Sequence, residues 1–396
     1  TTNGNVTLRG NGTGTVAIGD NTAITGTATV SSTLGVTGET TLTGGLASDA
    51  GNQVAGSKNI VINGAQTIAQ RGAIITGAGE STYGVDRFRT RTYGGDGRYS
   101  ISAWQVDVPA SENFQWSTLY TVTTASTNTG SFGYGLEYMA EGYDSNRLSL
   151  GKAGAKAFTV SFWVKVSIGG TYTSAVRTAG GEQSFVWEHT LAAATWTKVT
   201  KTIPALTTTL SSGQYTTSAM LLLSPINFGA QTSKNTTTLN AWHAGNYVFT
   251  ANQVAMMDTV DATCHLTGLQ CEEGPIATPF EHEPHMLTFA KCQRYYQKSY
   301  ADATTPGTSV GSHLQAKVDD STYNFFKIPP MVWFRAAPTV TVYSTTGASG
   351  KMRNLTAGTD IDESVGSYAG GILVHNTSAV TSGQNIALHY TANAEL

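Results

Sequence analysis

Phe158-Thr-Val-Ser-Phe-Trp-Val-Lys-Val166 alternates two kinds of side chain. Phe158, Val160, Phe162, Val164 and Val166 fall on one side, with Thr159, Ser161, Trp163 and Lys165 on the other. A period of two marks an extended chain with one buried face. Similar runs recur at 184–191, 195–203, 218–224, 245–250 and 264–270, with Gly-, Ser- and Thr-rich connections between them. Strands at that spacing predict a sandwich or jelly roll. Composition agrees, because only 12% of the 396 residues are charged while Gly, Thr, Ser, Tyr and Trp abound.

The same alternation returns in Val332-Trp-Phe334, Thr339-Val-Thr-Val-Tyr343, Gly371-Ile-Leu-Val-His375 and Asn385-Ile-Ala-Leu-His-Tyr390. Residues 300–396 therefore read as a second, smaller β-sandwich. Between the two sandwiches Pro284 follows Glu281, His282 and Glu283, and 21 residues then run without Gly or Pro. Pro at the first helical position, acids before it and Lys291, Arg294 and Lys298 later predict a connector helix within 281–299. Leu287, Ala290 and Arg294 would share one face, and Phe289, Cys292 and Tyr296 another. We expect it to link the sandwiches and to pack at an oligomer axis.

From Val16 to Leu46 most even-numbered residues are apolar or small and most odd ones polar. Ile18, Ile24, Val30, Val36 and Leu42 recur every six residues. A lone strand of that length would expose an apolar stripe and two unpaired edges. A monomeric hexapeptide β-helix needs more coils than these repeats supply. Residues 1–56 are thus expected to be an intertwined fibrous β shaft of three chains, cut from a longer one. The whole is all-β: trimeric shaft, jelly roll over 57–280, connector and C-terminal sandwich.

Net charge is −3 with no basic run, which excludes the electrostatic footprint of a nucleic-acid or anionic-membrane binder. No stretch reaches the ~18 apolar residues of a transmembrane helix, so membrane insertion is not expected. Cys264, Cys271 and Cys292 give no disulfide framework. Cys264 and Cys271, seven apart, should face opposite ways on one strand. Free thiols fit assembly in a bacterial cytoplasm.

Lys58-Asn-Ile-Val-Ile-Asn-Gly64, Ile68-Ala-Gln-Arg-Gly72 and Val85-Asp-Arg-Phe88 are followed by Ser161 to Lys165 and Thr195 to Pro204. Then come Leu266-Thr-Gly-Leu-Gln-Cys-Glu-Glu-Gly274, Ala277-Thr-Pro-Phe-Glu-His282 and Cys292 to Lys298. In this order the motifs resemble a module of bacteriophage tail fibres and related virion appendages. The resemblance implies a carbohydrate-binding-module-like jelly roll over about 58–300. The stretch around Phe334-Arg-Ala-Ala-Pro-Thr-Val340 and the final His389-Tyr-Thr-Ala392 look like the C-terminal domain of such fibres, here taken as the distal tip.

No catalytic arrangement is expected. Gly307-Thr-Ser-Val-Gly311 matches G-x-S-x-G near His313, but lacks a strand before it and a helix after it. His282-Glu-Pro-His285 falls one residue short of H-E-x-x-H. Three copies around an axis could gather a structural metal ion there, and no cofactor is expected. Asp86, Asp107, Glu137, Glu141 and Asp144 could supply a glycosidase pair, which sequence cannot match up.

Sugars stack on aromatic faces and are read by polar side chains. Trp163 and Trp196, on patterned strands, are expected in the core. The glycan-binding candidates are Trp104, Trp116, Trp187 and Trp242, with Arg91, Tyr93 and Tyr99 from the run Arg87, Arg89, Arg91, Tyr93, Asp96, Arg98, Tyr99. The competing reading of that run is a strand face of cross-strand ion pairs. The expected function is a homotrimeric receptor-binding fibre of the virion that recognises host polysaccharide or lipopolysaccharide without catalysis. Its N-terminal side would join other tail proteins. The alternatives are a structural neck, collar or head fibre without sugar binding, and a depolymerase spike.

Overall fold

A computed structural model describes residues 57–396, apart from 79–80, 94–96, 127–132, 212–215, 217, 230–231 and 320–323. The expected shaft lies outside the described residues. Elements are numbered in chain order. One antiparallel sheet runs β1 (Ile74–Ala78), β3 (Tyr99–Gln105), β4 (Ser117–Val122), β12 (Thr263–Glu273), β6 (Phe158–Val166) and β9 (Thr197–Ile203). The other runs β11 (Trp242–Ala244), β8 (Gln183–Leu191), β7 (Gly170–Thr178), β10 (Ala219–Gly229), β5 (Gly133–Glu141) and β2 (Phe88–Tyr93). The chain passes from one sheet to the other at β5–β6–β7 and again at β8–β9–β10. This is the jelly-roll sandwich that the alternation predicts.

β6 occupies the residues whose pattern opened the reading. Phe158, Phe162 and Val164 point inward and meet Tyr134, Leu136, Tyr138, Tyr172 and Phe185 from the facing sheet, all enclosed. Each such side chain stabilises the fold by about 1.5–3 kcal/mol. Residues 245–250, expected as a strand, form none. Instead the segment 245–250 lies across the outer face of the second sheet, where Val248 and Phe249 pack on Tyr93, Ala175 and Val186. Its polar groups are met by that face: Asn227 Nδ2 donates to the Val248 carbonyl (3.1 Å) and Thr250 Oγ1 to Glu188 Oε1 (2.5 Å).

Helices are few: α1 (Gly142–Ser145) and α2 (His285–Gln293). α2 stops earlier than the Gly- and Pro-free run, because Tyr296–Lys298 are claimed as strand β13 by pairing with Thr391 to Asn393. The remaining strands are β14 (Leu314–Lys317), β15 (Phe325–Ile328), β16 (Thr339–Tyr343), β17 (Lys351–Asn354), β18 (Thr359–Tyr368), β19 (Gly371–Asn376) and β20 (Asn385–Asn393). β20 pairs with β14 and β17 over its first half and with β13 and β16 over its second. The C-terminal sandwich has its own core, including Phe334, Val342, Met352, Val374, Ile386 and Leu388. Val332-Trp-Phe334 is not a strand. Pro329 and Pro330 precede it, and the Val332 carbonyl accepts from Gln297 Nε2 (2.7 Å) rather than from a ladder.

Motifs distant in sequence meet where the sandwiches join. Asp86, fully buried, accepts from the Gln70 backbone N–H (3.0 Å), Gln70 Nε2 (2.5 Å) and Arg71 Nη1 (3.4 Å). Burial pushes its carboxyl up to about 6 against the pull of Arg71 and Gln70. Gln70 Nε2 also reaches the Tyr296 carbonyl (3.0 Å), and the Arg71 guanidinium lies 3.9 Å over the Tyr296 ring. Asn59 and Asn63 fasten the segment 58–68. Asn59 Oδ1 accepts from the Val61 and Cys271 N–H groups, both at 2.9 Å. Asn63 Oδ1 accepts from Thr67 and Ile68, and its Nδ2 donates to the Ile68 and Asp86 carbonyls. A Cβ at Gly64 would stand 2.1 Å from the Leu269 carbonyl, so only glycine lets this loop lie on β12. These recurrent residues build architecture.

Candidate functional site

Two of the seven candidate residues meet. Trp104 sits at an irregularity between β3 and β4, with φ +54, and its Nε1 donates to the Thr67 carbonyl (2.9 Å). Trp116 enters β4 beside it. The two rings line one cleft of about 340 Å³ with Thr67, Ile68, Ala69, His285 and Asp302. Thr67 and His285 also line a neighbouring cleft of about 310 Å³. There Asn113 and Gln115 present exposed amides on either side of buried Phe114. Phe114, Phe280 and His282 form a three-ring cluster with centroids 4.9–5.3 Å apart. The two clefts make one groove between the segment 57–68, the segment 104–116, the segment 280–283 and the start of α2.

The two glutamates of the groove are tied to its own walls. Glu281 Oε2 accepts from the Asn59 N–H (2.8 Å). Glu283 accepts from Thr288 Oγ1 (3.0 Å) and is ion-paired with Lys291. Among the described residues lining the two clefts there is no lysine or arginine. Aromatic faces, amides and carboxylate acceptors suit an uncharged, hydroxyl-rich ligand.

The other candidates stand elsewhere. Tyr99 and Trp187 are 1% and 3% exposed inside the sandwich. Tyr99 opens β3 in step with the inward Ile101 and Ala103, and Trp187 keeps step with Phe185 and Leu191, so neither ring can stack on a ligand. Arg91 and Tyr93 do share the outer face of β2, but the segment 245–250 covers it: Tyr93 meets Phe249 edge-on at 5.6 Å, and the Arg91 guanidinium lies 4.6 Å over the Tyr93 ring. Trp242 is half-buried, edge-on to Phe185 at 5.7 Å, with its Nε1 donating to the Pro204 carbonyl (2.7 Å). The polar run itself is broken, since β2 and β3 belong to different sheets. What remains of it is an ion-pair face. Glu137, 1% exposed, lies between Arg89 and Arg177, and burial opposes its ionisation while the two guanidinium groups hold its carboxyl below the ordinary value.

Trp163 and Trp196, expected in the core, are half-buried on the outer face of the first sheet. Lys198 Nζ stands 5.9 Å from the Trp163 ring and Lys165 Nζ 5.7 Å from that of Trp196. The alternation of β6 had put Trp163 in step with Lys165, and that parity was the better guide.

On the same face Ser117 Oγ lies 3.1 Å from His265 Nδ1, and His265 Nε2 lies 3.8 Å from Asp107 Oδ2. Ser117 is fully buried, and its hydroxyl donates to the Asp107 carbonyl oxygen (2.7 Å), away from the imidazole. The Asp107 carboxylate is held by Lys165 and by Trp196 Nε1 (2.9 Å). The trio braces a loop. Of the remaining carboxylates, Asp86 pairs with Arg71 and Glu137 with Arg89 and Arg177, while Glu141, paired with Arg294, lies near Asp144, whose carboxyl pKa is raised by burial and by the Glu141 charge. Ser309 of the G-x-S-x-G string lies in coil and donates to the Thr345 carbonyl (3.0 Å).

No family model matches the chain, and no curated protein matches it. Among solved structures it is similar to the CBM22-1 xylan-binding domain of Paenibacillus barcinonensis Xyn10C, at 14% identity and TM-score 0.25, over 53% of this chain and 99% of that one. It is similar to the family 11 carbohydrate-binding module of Clostridium thermocellum in complex with a mixed-linked tetrasaccharide, at 11% identity and TM-score 0.24, over 52% and 99%. It is also similar to the tripod from the baseplate of bacteriophage Tuc2009, at 12% identity and TM-score 0.24, over 68% and 72%.

Proposed function

We propose that the chain is the receptor-binding part of a bacteriophage tail fibre: a virion homotrimer that holds uncharged host-surface glycan in the groove, without catalysis. The observation that carries this reading is the convergence of Trp104 and Trp116, from separate elements, on one cleft continuous with the amide-rich one. Three weak sites on one particle gain avidity through effective concentration without new contacts. Host polysaccharide or lipopolysaccharide is the partner class, and other tail proteins would meet the N-terminal side.

Binding of the full chain to a glycan array and to whole bacteria tests the proposal. Trp116→Ala should abolish both signals while Trp163→Ala, on the far side of β6, keeps them. Both variants should retain the thermal transition of the parent. Blank arrays and blank cells for the parent would defeat it and favour a structural appendage. That second reading has support in the outer face of the second sheet, which the chain covers with its own segment 245–250.

A further inference from the structure

Helix α2 buries one face and leaves the other bare. Thr288 and Cys292 are enclosed, and Phe289 packs beside Cys292 and Tyr295. On the opposite side Met286 and Leu287 are 72% and 48% exposed. The apolar surface continues past the helix. Gln293, further along the helix and itself buried (7% exposed), contacts Met331 Sδ through its Nε2 (3.1 Å). Met331 is 74% exposed and Trp333 71%. The Trp333 ring and the ring of Tyr368, itself 63% exposed, both stand within 3.5 Å of the space over Gly370. Five of the twelve exposed large hydrophobic residues among those described thus fall on one strip. Monomeric soluble proteins rarely leave such a patch uncovered.

The chain itself says what covers it. Ser57, where the described part begins, lies against the same helix: Lys291 Nζ is 3.3 Å from Ser57 Oγ. Lys291 is one turn on from Leu287. The 56 residues with the apolar alternation therefore join the sandwiches at the border of the strip. If three chains wind together there, three copies of this border converge. We propose that the strip is an interface with a second copy of this chain, with Met286 and Leu287 packed nearest the junction and Met331 and Trp333 further out. The inference rests on the trimer reading above and gives it a surface. Unbranched, adaptable Met side chains suit such a seam.

Cysteine cross-linking of the full chain decides it. The three native cysteines are buried, so an introduced thiol is the accessible one. Met286→Cys and, separately, Val260→Cys are oxidised with copper phenanthroline and run on a denaturing gel, with the native mass taken by light scattering. Val260, 49% exposed, precedes β12 and lies on none of the segments that carry the strip. Met286→Cys should give covalent dimers within a three-chain particle, and Val260→Cys none. A three-chain mass without cross-linking at Met286, or with equal cross-linking at Val260, overturns the interface and leaves the trimer standing. A one-chain mass overturns both.

Discussion

Arg87, where β2 begins in the jelly roll, is ion-paired with Glu395 beyond β20 in the C-terminal sandwich, and the two side chains are 0% and 3% exposed. The guanidinium is also sandwiched: its centre lies 3.4 Å over the Tyr295 ring, and Nη2 donates to the Met139 carbonyl (2.5 Å). Arg71 reaches the same carboxylate at 3.3 Å. Removing one member of a buried pair strands the other charge, at a cost of about 3–5 kcal/mol. Glu395→Ala should lower the stability of the full chain by that order in urea unfolding. A loss below about 1 kcal/mol would show that the pair is solvated and that the sandwiches are held by apolar contact alone.

The two cysteines of β12 show where a sequence argument breaks. Seven residues apart, Cys264 and Cys271 should face opposite ways, yet both are fully buried in the same core. The register between β12 and β6 shifts between Thr267 and Gln270, and Gly268 there has φ +66. One extra residue resets the side-chain parity of a strand. Local alternation was legible, and a bulge that rests on a single glycine was not.

Gly268→Ala tests that bulge. A Cβ there would sit 2.5 Å from Phe114 Cζ, in a backbone conformation that costs a side chain about 1–3 kcal/mol. Because Phe114 anchors the wall of the groove, the variant should lose both stability and glycan binding. Glycan binding unchanged from the parent would separate the groove from the bulge.

Strand existence was readable for the same reason that site membership was not. β6 and β16 match their predicted bounds because a half-buried strand imprints its period on five or more neighbours. The groove instead joins residues about 50 to 220 positions apart, such as Asn59, Asn113 and Phe280, whose meeting depends on loop paths fixed by Asn59, Asn63 and Gly64. Trp187 and Trp242 are glycan-binding candidates by residue type, yet they sit on β8 and β11 against the core.

His189 gives the chain an acid-sensitive point. It lies on β8, its ring edge-on to Phe162 at 6.0 Å, and its Nε2 is buried without a hydrogen-bond partner. Burial lowers its pKa from 6.5 to about 4. The unfolded chain takes up a proton near 6.5, and the folded chain refuses it until about 4. The contribution of this group is therefore complete above 6.5 and is lost as pH falls from 6.5 toward 4. At ~1.4 kcal/mol for each pH unit of separation, it reaches about 3 kcal/mol. Asp86 acts in the opposite sense in an overlapping window. Its raised pKa contributes stability below 3.8 that is lost as pH climbs toward about 6. The raw pH profile mixes the two, so the informative quantity is the difference between the parent and His189→Gln. That difference should shrink steadily as pH falls from 6.5 to 4 in thermal unfolding. Parallel curves across the range would mean that His189 takes up its proton equally well in the folded chain.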